Sequence, residues 1–200
     1  NIQAQVLNNQ NAQLQAVNQL NLKVVQQLNN QQGLIAAQKQ LAIQANQLNN
    51  TQGQIASLDD QVHLELSSIN NSSGLVQAVT TLKIQADSID NQQGKLIAQQ
   101  DVNLNSQNAA LLNQSGQISA GRNIQILSHG LNNDTGLIQA GKNLSIDSQN
   151  QDLSNQQSGT AGGLIAQNEL SIQNVQQLNN RQGFIGANTS VDLQAQQVQN

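Results

Sequence analysis

The chain has 200 residues, a formal net charge of −4 from 7 Lys and Arg against 11 Asp and Glu, and no Cys, Pro, Met, Trp or Tyr, with Phe184 its sole aromatic. At 9% charged residues it falls well below the usual quarter of a globular domain, and without cysteine it holds neither disulfides nor thiolate metal sites. The Lys and Arg residues lie scattered from Lys23 to Arg181, so no basic patch neutralises nucleic-acid phosphates, and no apolar run approaches the ~18 residues of a membrane-spanning helix.

Residues 1–27 read as a degenerate first coil. Leu7-Asn8-Asn9 opens it, Leu20 and Leu22 follow as an alternating apolar pair, and no Gly stands near Gln13. From there one unit of about twenty residues recurs. Leu28-Asn29-Asn30 leads to Gly33, Ile35, Ala37 and the pair Leu41/Ile43. Leu48-Asn49-Asn50 leads to Gly53, Ile55, Ser57 and Val62/Leu64. Ile69-Asn70-Asn71 leads to Gly74, Val76, Ala78 and Leu82/Ile84. Gly94 precedes Leu96, Ala98 and Val102/Leu104, and Gly116 precedes Ile118, Ala120 and Ile124/Ile126. Leu131-Asn132-Asn133 leads to Gly136, Ile138, Ala140 and Leu144/Ile146.

The longest interval, Gly136 to Gly163, is expected to hold insertion loops over residues 149–163. One lies near Gln149-Asn150 and one at Ser158-Gly159-Thr160-Ala161-Gly162, both at turns, where added length is tolerated. Gly163 then precedes Ile165 and Leu170/Ile172, and Leu178-Asn179-Asn180 leads to Gly183, Ile185, Ala187 and Val191/Leu193. No change of composition divides the chain, so residues 1–200 are expected to form a single repeat domain cut from a longer fibre.

Within each unit the apolar positions alternate, which marks strands with one buried face. A helix would spread Leu41, Ile43 and Ala45 around its cylinder. A Gln/Asn-rich chain could be disordered, but disordered chains lack such regular apolar spacing. Leucine-rich repeats share the period yet need a different consensus. The expected fold is therefore all-β: a parallel β-helix of about nine to ten coils, roughly 20 residues each. Gly33, Gly53, Gly74, Gly94, Gly116, Gly136, Gly163 and Gly183, with Asn29, Asn49, Asn70, Asn132 and Asn179, are expected to form the corners. Gly and Asn tolerate positive φ there, and stacked Asn can bond from coil to coil as a ladder.

These residues resemble the haemagglutinin-type repeats of filamentous haemagglutinin and of CdiA-type contact-dependent growth inhibition exoproteins, both of two-partner secretion systems. Gly136-Leu137-Ile138-Gln139-Ala140-Gly141-Lys142-Asn143-Leu144-Ser145-Ile146 carries the likeness most fully, and the resemblance covers about residues 20–200. It implies a right-handed β-helix within a secreted fibre on the surface of a Gram-negative bacterium. It also implies an outer-membrane transporter that exports the full chain, and a receptor on a neighbouring or host cell.

Chemistry-bearing residues are few. Asp59-Asp60 is the one adjacent acidic pair, and Asp87 and Asp90 flank a corner; all three sites read as solvated or capped turns. His63 and His129 lack the partners that a zinc site requires. Ser128-His129 is a pair of sequence neighbours, with no positioned base. No catalytic residue, metal or cofactor is expected, and an enzyme built on this fold would rest on analogy alone. Two functions remain from the sequence: a rigid surface rod that projects a receptor-binding or toxin module, or a repeat surface that itself binds glycan or protein. For the second, the Gly159–Gly163 loop is the expected contact.

Overall fold

A computed structural model describes residues 1–159 and 161–200. The chain winds as a parallel β-solenoid of about 9 turns, with ~21 residues per turn. No helix occurs among the described residues.

One coil shows the design. After the turn at Asn50, the short strand Gln54–Ser57 runs along one face, a corner follows, and the long strand Val62–Asn70 returns to the next turn. Every coil repeats this path, so equivalent strands stack in register. The short strands make a nine-stranded parallel sheet from Gln13–Ala16 to Ile185–Ala187. The long strands form a 13-stranded sheet. In its middle coils the long strand breaks in two, as in Asp101–Ser106 with Leu111–Leu112 and Ile124–Ser128 with Leu131–Asn132. The breaks have local causes. Ser106 Oγ donates to the Ala109 carbonyl at 2.5 Å, and Gly130 turns the chain at a φ of 98°.

Alternation along each strand sends every second side chain inward, and registered stacking converts those positions into columns. Ile35, Ile55, Val76, Leu96, Ile118 and Ile138 form one column, each wholly buried at 0% exposure. Leu41, Val62, Leu82, Val102, Ile124 and Leu144 form a second, and Leu48, Ile69, Ile89, Leu111, Leu131 and Leu153 a third. Each such side chain contributes on the order of 1.5–3 kcal/mol through burial, yet only because the coils on either side cover it. At the last coil that cover is missing: Val191 is 46% and Val198 53% exposed. Stability in such a solenoid is shared between neighbours and does not belong to a single coil.

Two expectations about the eighth coil are corrected. Gly163 does not occupy the place of the other corner glycines. It is a strand residue paired with Leu137, one position after Gly136. Ser158 holds the glycine position, three residues after Asn155 as Gly136 is three after Asn133. Four residues, 159–162, then intervene before the strand resumes, so counting from glycine to glycine skips them. The inward residue is consequently Leu164, paired with Ile138 and 0% exposed, while Ile165 pairs with Gln139 on the outer side. At the other insertion, Gln149 and Asn150 both have positive φ, and the pairing register shifts between Asp147 and Gln151. Thr160, within the expected Gly159–Gly163 contact loop, lies outside the described residues.

Candidate functional site

The most ordered polar feature is a column of asparagines at the turn. Asn30, Asn50, Asn71, Asn91, Asn113, Asn133 and Asn155 are each 0% exposed. From Asn9 through Asn180 to Asn200, the Nδ2 of every member donates to the Oδ1 of the next at 2.7 Å. The same amide reaches the carbonyl of the residue three positions on, as Asn50 does to Gly53 at 3.3 Å. A buried amide without partners would cost ~1–3 kcal/mol, and this geometry gives the Nδ2 of every rung from Asn9 to Asn180 an acceptor.

The asparagines named as corners from the sequence do a different job. Asn29, Asn49, Asn70, Asn132 and Asn179 end their strands on the outer side. The Oδ1 of each accepts the backbone N–H two residues on, from Gln31, Thr51, Ser72, Asp134 and Arg181 respectively. Asp90 does the same for Gln92 at 2.9 Å. In each Asn-Asn pair the second residue, not the first, is the buried rung. Asn91, Asn113 and Asn155 are rungs that the Asn-Asn motif missed, because Asp90, Leu112 and Ser154 precede them. Their shared signal is the spacing of three to the following Gly or Ser.

The corner glycines are also there for a different reason from the one expected. Gly33, Gly53, Gly74, Gly94, Gly116, Gly136 and Gly183 are not positive-φ residues; the residue before each of them is, as in Gln32, Gln52, Ser73, Gln93, Ser115, Thr135 and Gln182, at φ values of 55–58°. The glycines are needed for space. A Cβ on Gly94 would overlap the Asn71 carbonyl oxygen of the coil below and lie 2.7 Å from Asn91 Oδ1. Ladder and glycine are thus one device, in which the glycine's missing side chain lets the coils close onto the amide column.

Titratable groups on the outside are dispersed. Arg122 Nη2 donates to Asp101 Oδ2 at 2.6 Å, one coil apart, and Asn123 adds a second donor to Asp101 at 2.9 Å. The Arg122 hydrogen bond holds the Asp101 carboxyl below its ordinary value, against the opposing effect of burial, and Asp101 in turn raises the Arg122 guanidinium. Lys142 stacks directly on Arg122 through a backbone bond to the Arg122 carbonyl at 2.7 Å, but no carboxylate cluster joins them. Asp59 accepts from Gln38 Nε2 and Asp60 from Thr80 Oγ1, while Asp87 accepts from Asn108 Nδ2. His63 Nε2 lies 3.4 Å from Glu65 Oε1. His129 donates its backbone N–H to Ser106, and Ser128 is fully buried beside it. No group of three or more His, Cys, Asp or Glu residues suited to a metal occurs among the described residues.

One open groove follows the bend of the long strand across successive coils, with Lys23, Val25, Gln44, Asn46, Gln85 and Asp87 among its walls. No helix among the described residues is long and apolar enough to cross a membrane.

Coils stacked in register and a continuous amide ladder define a repeat protein of the parallel β-solenoid class. The haemagglutinin repeat family matches the chain at residues 1–65, 61–110 and 102–152, and the chain belongs to that family. It is a family of structural and adhesin type, typically secreted or at the cell surface, in the setting of two-partner secretion. No curated protein and no solved structure matches the chain.

Proposed function

We propose that this chain is a section of a rigid, secreted rod on a bacterial cell surface, which holds a receptor-binding or toxin module away from the cell. In this reading the full chain leaves through an outer-membrane two-partner transporter and meets a receptor on a neighbouring or host cell through another region. The observation that carries it is the uninterrupted amide ladder from Asn9 to Asn200. Every coil is locked to the next by the same bond, a pattern suited to axial stiffness.

The test is to delete one whole coil, residues 71–90, which joins Asn91 to the strand before Asn71 with the ladder spacing kept. The expected protein folds normally and is shorter by one coil. In the parent fibre, delivery or adhesion declines with each coil removed while the isolated distal module keeps its activity. Unchanged delivery after several such deletions counts against a spacer role.

A second reading, that the repeat surface is itself adhesive, is favoured by the axial groove. Amides of Gln44, Asn46 and Gln85 face solvent there over several coils, a spacing that suits an extended, hydroxyl-rich chain. A glycan array probed with the purified rod checks it: binding lost on Gln44→Ala with Gln85→Ala supports adhesion, and no binding at all removes it.

A further inference from the structure

The two faces of the solenoid differ in a way that folding does not require. On the long-strand sheet, the outward positions paired from coil to coil carry charges at Lys23, Glu65, Lys83 and Asp147, and their large aliphatics are Val6, Leu112 and Leu127. On the short-strand sheet, the outward positions include Leu34, Leu75, Ile97, Leu137 and Ile165, and Lys95 is the only charge in its nine strands. The following corner widens this face with Val17, 85% exposed, and Leu58, 53% exposed, and Phe184 at its far end is 43% exposed. Gln or Ser satisfies the same outward positions in other coils, as at Gln54, Gln117 and Ser119. The aliphatics therefore answer to something outside the coil.

We infer that this short-strand face is a lateral interface, on which a second copy of the chain packs side by side. Three features select that occupant. The face is a nine-stranded parallel sheet, and sheets pack face to face against other sheets at ~10 Å. Its ridges repeat at the coil spacing of ~4.8 Å, a period that another copy of the same solenoid shares along its whole length. It is also nearly free of charge on a molecule of net charge −4, so two identical faces meet without like-charge repulsion. Lys95 stands in the column beside the turn, at the rim, from where its ammonium can reach water.

The area is sufficient. Nine strands at ~4.8 Å and about four residues at ~3.3 Å give roughly 600 Å² on each copy. That is ~1,200 Å² in total, at the lower end of specific interfaces. The inference predicts reversible pairing of rods in parallel, independent of the proposed cargo.

The test uses the whole chain, which has no cysteine of its own. Sedimentation equilibrium is expected to show the mass rising from 21.4 kDa toward about twice that value as concentration increases. In single-cysteine variants, maleimide labelling of Ile97→Cys is expected to slow several-fold over the same range, while labelling of Gln44→Cys on the other sheet stays constant. Leu75→Lys with Leu137→Lys is expected to keep the chain monomeric with an unchanged β-sheet circular dichroism spectrum. A single mass at every concentration overturns the inference. So does association that leaves Ile97→Cys labelling unchanged, because coils stacked end to end behave in that way.

Discussion

Asn71 Nδ2 lies 2.7 Å from Asn91 Oδ1 in the next coil and 3.3 Å from the carbonyl oxygens of both Gly74 and Lys95. One buried amide thus joins its own turn, the next rung and the next coil's strand. Asn91→Ala removes a rung and leaves the Asn71 amide without its shortest acceptor. The expected loss is about 2–4 kcal/mol of stability, the cost of an opened buried polar network. Asn70→Ala, which deletes only a cap on the exposed side, is expected to cost about 1 kcal/mol. Urea denaturation of the two variants checks the ranking, and equal losses would mean that the ladder adds nothing beyond the cap.

Gly94 and Gln93 separate space from backbone conformation. Gly94→Ala places a methyl group against the Asn71 carbonyl, so the coils must move apart, and the expected cost is about 3 kcal/mol or more. Gln93 has a φ of 58°, where glycine is at ease, so Gln93→Gly is expected to change stability by less than about 1 kcal/mol. If glycine served this corner through its φ freedom, the two effects would be reversed. Thermal unfolding of both variants distinguishes the cases.

The register after the insertion is tested by two adjacent side chains. Leu164 is wholly buried in the column of Ile138, and Ile165 faces outward. Leu164→Ala is expected to cost about 2–5 kcal/mol, and Ile165→Ala less than about 1 kcal/mol. The opposite order in a chemical denaturation series would restore the register counted from Gly163.

Acid should act on the Asp101–Arg122 pair in a defined direction. The folded-state value of Asp101 is lowered, so the pair's contribution is complete above the unfolded carboxyl value of about 4 and is lost as pH falls through the folded value. Arg122→Gln should return Asp101 toward its ordinary value. The stability gap between wild type and variant should be constant near neutrality, close below about pH 4, and narrow with added salt. Carboxyl titration by NMR together with denaturation across pH measures both; a gap that persists in acid rules out this linkage.

Much of the fold was legible because its information is periodic. Gly33, Gly53 and Gly74 fall 20 and 21 residues apart, and Ile35, Ile55 and Val76 follow each by two residues, so period and strand alternation read straight from the chain. What could not be read was which of two identical neighbours turns inward. Asn29 and Asn30 are chemically the same, and only the close approach of the coil below places Asn30 in the ladder. The reason for glycine was hidden likewise, since its constraint comes from Asn9, a residue of another coil. At Ser158 the spacing rule failed because a side chain replaced the glycine and four further residues followed. The outward aliphatics such as Leu75 and Ile97 were visible as letters, but their gathering on one face needed the register.

The central claim is a stiff column of registered coils, and a single distance tests it. Gln44, Glu65, Gln85, Asn105, Leu127, Asp147 and Gln173 pair in succession along the outer side of the long-strand sheet. Spin labels on Gln44→Cys and Gln173→Cys are therefore six coil spacings apart, and pulsed dipolar spectroscopy should give a narrow distribution centred near ~29 Å plus the label arms. A broad distribution, or a maximum far from that length, would contradict the stacked solenoid.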